Sequence, residues 1–371
     1  MKNQTIDNLF LLLKSALWKN EQSAKAMTDV DWKELYNLAK EQCLVGVMAD
    51  SLGYISDEQG CGEEKLKWLA YLITLERKNQ RMNALIGKLF NLFTTHGLSP
   101  VLLKGQAFAA NYPYPLHRQC GDIDVYFKHR EDCEEAVAWA SKVDKVAAED
   151  SDNKRERKHF TFSLEHEVVE LHYYMCLFDD KRLQQRLQAI IDDEFEKNPP
   201  FCVEIGAEQI EVVPSTLSVL HQLLHISRHL LEAGIGLRQV CDLALFLDRH
   251  YEEVNKERLN GYLRDLELEK VAKSLGYIMI HNLGLAAEKV PFEIDGSYAD
   301  FILKEIFEGG NFGKKKTEYR NNNCGLLRKI QSIFYFYKRC KLYQPLFPLE
   351  SKSYFMNKIK LNIKLLTKRH Y

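Results

Sequence analysis

The chain reads as an α+β protein, a small mixed β-sheet core set between helices on both sides in sequence. Three observations predict this. Apolar residues recur at helical spacing up to about residue 95 and again from about 215 to 307. Between those stretches, short alternating runs bounded by Gly and Pro read as strands. Within them, Gly121-Asp122-Ile123-Asp124-Val125-Tyr126-Phe127 sets two acids on one strand face and Ile123 and Val125 on the other.

In chain order, Leu9, Leu12, Leu13, Ala16 and Leu17 mark a first helix, and Asp29 or Asp31 caps a second carrying Trp32, Leu35 and Leu38. A long helix runs from Glu64 to His96 and stops at Gly97. Pro100 to Leu103 is an apolar strand that breaks at Lys104-Gly105. Gln106 to Asn111 then forms a short helix, with a Pro-rich turn after it. Beyond the acidic strand, Arg130 to Ser141 is helical and the charged run Asp144 to Lys158 reads as a loop. His159–Leu164 and Val168–Met175 are strands joined by a turn at Glu165-His166-Glu167. Lys181 to Ile191 is amphipathic, and a hairpin turns at Gly206-Ala207. Pro214-Ser215 opens a run of helices led by Leu217–Leu231 and Leu237–Leu247. Gly309 to Gly313 is the clearest linker signal, followed by basic, aromatic helices broken by Pro345 and Pro348. The expected domains are a helical cap (1–96), a sheet-bearing core (97–214), a helical bundle (215–308) and the linker with the basic aromatic segment (309–371).

At 371 residues the chain is long enough for two or three domains. Its net charge of −1 argues neither for nor against nucleic acid. That balance conceals an asymmetry, since Lys314 to Tyr371 carries about 15 basic residues against Glu318 and Glu350. Aromatics among those cations suit packing on the rest of the protein, an anionic membrane surface, or nucleic-acid bases. Nine cysteines without a C-x-x-C pair fit reduced thiols in the cytoplasm. The apolar run in the first 20 residues is broken by Lys14 and is too short for a signal peptide or membrane span.

Adjacent carboxylates repel, and divalent cations are the usual remedy. Asp122 and Asp124 are therefore the first candidates for metal ligands. Glu170 joins their face provided its strand neighbours theirs, with His172 two residues on. Gly105 permits a sharp turn and close backbone approach, so the following helix start suits an anion. Lys104 and Arg118 suit phosphate as cations, with Gln106 and Gly121 beside them. His172 is read either as a group that orients a carboxylate or touches substrate, or as a satisfied structural imidazole. His221, His225 and His229 stack on one helix face, which reads as lining a cleft more readily than as a zinc site. Arg238 and Asp242 are spaced for an ion pair.

Together, Leu103-Lys104-Gly105, Arg118, Gly121-Asp122-Ile123-Asp124 and Val169-Glu170-Leu171-His172 resemble the bacterial uncharacterised nucleotidyltransferase family. Gly234-Ile235-Gly236-Leu237-Arg238-Gln239-Val240-Cys241-Asp242 is similar to its helical region. The resemblance spans about Leu85 to Leu247 and implies a DNA polymerase beta-like nucleotidyltransferase core. It implies Mg²⁺ (or Mn²⁺) on Asp122, Asp124 and Glu170, an NTP such as ATP near Lys104, Gly105, Gln106, Arg118 and Gly121, and substrate contacts at His172, His225 and Arg238. One departure is Gln106, where most nucleotidyltransferases place serine. The expected reaction moves a nucleoside monophosphate to a hydroxyl, on a small molecule first, since the core has no basic stripe. A non-catalytic nucleotide-binding protein of the same fold is the alternative. A kinase of the aminoglycoside type is disfavoured because no H-x-D-x-x-x-x-N loop accompanies Asp122.

Overall fold

The structure, a computed structural model, describes residues 3–56, 59–150, 158–232, 234–310 and 325–367. Four helices open the chain: α1 (Asn3–Trp18), α2 (Glu21–Lys25), α3 (Trp32–Glu41) and α4 (Val45–Ala49). Asp31 caps α3, accepting a hydrogen bond from the Glu34 amide at 2.9 Å. The long helix α5 (Glu64–Thr95) follows and ends at Gly97, whose φ of +79° suits a residue without Cβ.

The sheet is assembled from β1 (Pro100–Leu102), β2 (Ile123–Phe127), β3 (His159–Leu164), β4 (Glu167–His172), β5 (Phe201–Ile205) and β6 (Glu208–Val212). Their spatial order is β3-β4-β2-β1-β6-β5. β1 runs antiparallel to β2 and parallel to β6, β2 runs parallel to β4, and β3–β4 and β5–β6 are hairpins. Four helices interrupt the strands: α6 (Gln106–Ala109), α7 (Arg130–Val143), α8 (Lys145–Glu149) and α9 (Lys181–Lys197). α8 occupies part of the expected 144–158 loop because the Asp144 side chain caps it, accepting from the Ala147 amide at 3.0 Å. Residues 151–157 of that loop lie outside the described residues. The Val168–Met175 strand is shorter than expected, closing at His172, and it takes in Glu167, which the sequence places in the turn. Glu165 and His166 adopt positive φ and make the turn themselves.

The remaining helices are α10 (Ser215–Glu232), α11 (Leu237–His250), α12 (Lys256–Asp265), α13 (Glu269–His281), α14 (Ala299–Gly309), α15 (Gly325–Tyr343) and α16 (Pro348–Thr367). Helices thus flank a six-stranded mixed sheet at both ends of the chain, as the α+β reading expects. Gly309 and Gly310 of the expected linker are described, and its last three residues lie outside the described set. Among the described residues no helix is long and apolar enough to cross a membrane.

Two apolar cores follow from the two faces of the sheet. Ile123, Val125, Phe127, Val169 and Leu171 pack with Leu85, Leu89 and Phe93 of α5 and Ala136 and Ala140 of α7. The opposite face, through Tyr126, meets the helices of the C-terminal half. The segment 1–96 serves both environments. α5 lies on the sheet, whereas α1 packs on the later helices through the Phe10–Phe307 ring contact at 5.9 Å and a Trp18 Nε1 hydrogen bond to the Leu283 carbonyl.

The basic aromatic segment is partly internal. Tyr343, Phe347 and Tyr354 are buried, and Arg339 donates Nε to the Leu231 carbonyl at 2.7 Å while pairing with Glu305 at 3.2 Å. That arginine covers carbonyls at the C-terminal end of α10, where orphan acceptors need a donor. Phe334, Tyr337 and Met356 remain exposed.

Candidate active site

β2 and β4 position the acids. Because the strands are parallel and in register, Asp124 lies beside Glu170 and Tyr126 beside His172. Directly paired residues point to the same face, so Asp124, Glu170 and His172 project together, away from the core holding Ile123, Val125, Val169 and Leu171. Asp122 sits one residue before β2 and joins them. One oxygen each from Asp122, Asp124 and Glu170 can be chosen so that all lie within 4.8 Å of one another.

Asp124 is 1 % exposed. Its Oδ1 lies 3.1 Å from Lys104 Nζ and 2.8 Å from His172 Nε2. Its Oδ2 is buried and has no hydrogen-bond partner. Burial alone would raise the Asp124 pKa, but Lys104 and His172 outweigh it and hold the carboxyl well below the usual range. Asp122 moves the other way: the neighbouring Asp124 charge, then burial, raise its pKa. Burial acts to lower the Lys104 pKa, yet Asp124, Asp122 and Glu170 more than offset this and raise it, so the ammonium stays charged.

A turn supplies Lys104. Gly105 has a φ of +63°, and a Cβ there would sit 3.4 Å from the Asp122 carbonyl oxygen. This is the close approach that the sequence assigns to glycine. The segment is also tied across to β2, since the Leu103 amide donates to the Asp124 carbonyl at 3.1 Å.

A cavity of about 300 Å³ opens between this edge and helices α10 and α11, lined by Lys104, Gly105, Gly121, Asp122, His225 and Arg238 among others. Arg118 also borders it but is committed elsewhere. Its Nε and Nη2 donate to the two oxygens of Asp242 at 2.7 Å each, with the Tyr112 hydroxyl on Oδ1 at 2.8 Å. The expected Arg238–Asp242 pair is therefore replaced by Arg118–Asp242, and Arg238 Nη1 instead donates to the Gln119 carbonyl. Gln106 is 3 % exposed and lines a second, larger cavity of about 650 Å³ between α5, α6 and the β5–β6 hairpin. That larger cavity is lined by Glu204 and Glu208 and by none of Asp122, Asp124 and Glu170, whereas Asp122 lines the smaller one.

On α10, rings of His225 and His229 meet at 4.4 Å and those of His221 and His225 at 6.5 Å. Burial pushes all three pKa values down, to about 3 for His221 and His229. Among the described residues, the groups able to hold a metal are Asp122–Asp124–Glu170 and His159–Glu170–His172, and neither uses this ladder.

Sequence reasoning did not single out His159, Lys158, Gln222 or Gln239. His159 Nδ1 stands 3.4 Å from Glu170 Oε2, and burial lowers its pKa to about 4. Lys158 adds positive charge that helps lower Asp124. Gln222 and Gln239 line the acid cavity, and Gln222 Nε2 donates to the Gln239 carbonyl at 2.9 Å. The signal for His159 lay in the pairing of β3 with β4, which sets it opposite His172.

A family model described as uncharacterised nucleotidyltransferase matches residues 28–284, more than half of the chain. No curated protein and no solved structure matches.

Proposed function

The chain belongs to the uncharacterised nucleotidyltransferase family, and from that premise we propose that it transfers a nucleoside monophosphate from an NTP, ATP first among them, to a hydroxyl of a small-molecule acceptor. The observation that carries this reading is the orphaned Oδ2 of buried Asp124 within a cluster of three carboxylates beside a cavity. A buried acceptor without a donor is costly, and a divalent cation satisfies it. Asp122, Asp124 and Glu170 would hold Mg²⁺, or Mn²⁺ in its place. All are hard oxygen donors of the kind Mg²⁺ takes. When bound, such ions supply positive charge at the triphosphate and at the attacking oxygen.

The protein's own groups do the rest. Lys104 presents its ammonium at the mouth of the turn, and the Gly105 backbone lets phosphate oxygens approach closely. Glu170 takes the proton of the acceptor hydroxyl. The acceptor oxygen bonds to the α-phosphorus, the α–β bridge breaks, and pyrophosphate leaves. His172, whose Nε2 lies 2.8 Å from Asp124 Oδ1, orients that carboxylate. His225 and Arg238 line the side of the cavity on which the acceptor would lie, between the core (97–214) and the bundle (215–308). A cytoplasmic setting, expected from nine cysteines without a C-x-x-C pair, belongs to the same reading.

A second reading, a nucleotide-binding protein without catalysis, draws on Gln106. Most nucleotidyltransferases place a phosphate-holding serine there, whereas this side chain lines the other cavity.

The test is a titration of the protein with ATP, GTP, CTP and UTP, with and without Mg²⁺, beside the Asp122→Asn/Asp124→Asn double variant. Metal-dependent binding that the variant loses supports the acid site, and pyrophosphate release with candidate acceptors separates the enzyme from the binder. Equal binding by both proteins, or none by either, rules this reading out.

A further inference from the structure

The carboxylate cluster does not use all the ligating atoms at this edge of the sheet. His159 projects from β3 directly opposite His172 of β4, their ring centroids 5.0 Å apart, and Glu170 reaches between them. We propose that His159, Glu170 and His172 form a second metal site, which takes a tetrahedral ion of the zinc class and shares Glu170 with the carboxylate cluster.

Three observations carry the assignment. The first is spacing. Glu170 Oε2 lies 3.4 Å from His159 Nδ1 and 3.3 Å from His172 Nε2. For ligands about 2.1 Å from a zinc ion, a tetrahedron has edges of about 3.4 Å. An octahedron at the Mg²⁺ distance of about 2.1 Å has edges of about 3.0 Å. The two edges to Glu170 are tetrahedral in length, and the three ligand atoms all lie within 4.8 Å of one another.

The second is the set of partners around the two ring nitrogens of His172, which is 1 % exposed. Its Nδ1 faces the Tyr174 carbonyl oxygen at 3.4 Å. Its Nε2 faces Asp124 Oδ1 at 2.8 Å and Glu170 Oε2 at 3.3 Å. Nε2 thus stands where two carboxylates converge, one of them the shared Glu170, while a backbone carbonyl lies beside Nδ1 on the far side of the ring. A carbonyl that holds the far N–H of a ligating histidine is the usual support for such a ligand.

The third is an atom left over. His159 Nδ1 is buried and accepts or donates no hydrogen bond. A buried imidazole nitrogen beside a carboxylate, with no hydrogen-bonding role, is a ligand in place.

Two imidazoles and a carboxylate are a borderline donor set, which favours Zn²⁺ over Mg²⁺. The three oxygens of Asp122, Asp124 and Glu170 have the opposite preference. One strand edge therefore presents two neighbouring positions of different chemical softness, with Glu170 as the common member. With three protein ligands, the zinc-class position keeps its fourth corner open for water or a substrate atom. This site does not depend on the nucleotidyl-transfer reading, because its occupancy is measured without nucleotide.

The experiment is a Co²⁺ titration of the full-length protein after chelator treatment. Co²⁺ substitutes for Zn²⁺, and its tetrahedral complexes absorb strongly in the visible where octahedral ones are pale. The expected result is about one equivalent per chain with the tetrahedral spectrum, displaced by Zn²⁺. His159→Gln, with His159→Asn as the second variant, weakens Co²⁺ binding by at least about tenfold while melting as wild type does. Asp122→Asn keeps the Co²⁺ spectrum although it loses Mg²⁺-dependent nucleotide binding. Four results overturn the site: no Co²⁺ binding, an octahedral spectrum, a thiolate charge-transfer band marking cysteine ligands, or unchanged binding in both His159 variants. A loss in Asp122→Asn equal to that in His159→Gln overturns the separation of the two positions. None of these outcomes touches the nucleotide titration, so failure here and failure of the proposed function are told apart.

Discussion

Two charge constellations border one small cavity, one through Asp122 and the other through Arg118 and Asp242, and they are built to opposite rules. In Arg118–Asp242–Tyr112, both carboxylate oxygens of Asp242 are taken, by two guanidinium donors at 2.7 Å and a hydroxyl at 2.8 Å. In Asp122–Asp124–Glu170, like charges crowd together, Lys104 and His172 share one oxygen of Asp124, and the other oxygen has no partner. The closed set is finished by the fold and joins α11 to the segment leading into β2. The open set is left unfinished, as a site that awaits a cation would be. A buried charge is thus informative only with its partners counted. Complete pairing marks scaffold, and incomplete pairing marks a candidate site.

The largest effect should come from breaking the closed set. Asp242→Ala leaves the Arg118 guanidinium buried, and removing one partner of a buried pair costs about 3–5 kcal/mol. Urea denaturation should show that loss, with Mg²⁺-dependent binding weakened only as far as folding is. A cost below about 1 kcal/mol would mean the pair is not the scaffold described.

Next in size is the response to acid, which separates the two sets further. His221, His225 and His229 behind the open site are held neutral by burial, their pKa values lowered. A histidine lowered on folding contributes stability that is present above its unfolded value of about 6.5 and lost as pH falls below it. Asp124, also lowered, loses its contribution as pH falls below the ordinary carboxylate range. Both act in the same direction, so the melting temperature should decline from about pH 6.5 downward, and His221→Gln should flatten the upper part of that decline. A profile level down to about pH 4 would contradict the buried neutral ladder.

Filling the open site comes third. A ligand that binds only the folded state stabilises it by about 2.7 kcal/mol at a hundred times its Kd. Mg²⁺ should therefore raise the melting temperature of the wild type and leave the Asp122→Asn/Asp124→Asn variant unmoved. Equal shifts in both proteins would place the cation elsewhere.

The contrast also explains what could be read from the sequence. The helix–sheet–helix order, the turn at Gly105 and the shared face of Asp122, Asp124 and Glu170 were legible because periodicity and glycine chemistry are local. Register followed only conditionally, as Glu170 joins the aspartates if its strand neighbours theirs, and the parallel β2–β4 pairing supplies that condition. Partner choice was not legible. Spacing of four suggested Arg238 for Asp242, but Arg118, 124 positions away in the chain, holds it. His159 was hidden for the same reason, since an antiparallel pairing places it beside His172. Contacts made by tertiary packing leave no period in the chain.

The smallest expected effect bears most directly on the difference between the two sets. In the cation-free protein, Asp122 is disfavoured as a charge, first by Asp124 and then by burial, and its pKa is raised. A carboxyl raised on folding destabilises the fold wherever it is ionised, and the penalty is relieved as pH falls through its folded value. Asp122→Asn removes that penalty while keeping the shape. It should stabilise the metal-free protein by about 0.5–2 kcal/mol, as substitutions at strained functional sites do, and abolish Mg²⁺-dependent nucleotide binding. The opposite pattern is expected in the closed set, where Asp242→Asn weakens a satisfied pair and can only destabilise. Should Asp122→Asn lower the metal-free melting temperature as Asp242→Asn does, both constellations would be scaffold, and the unfinished valence of Asp124 would no longer distinguish them.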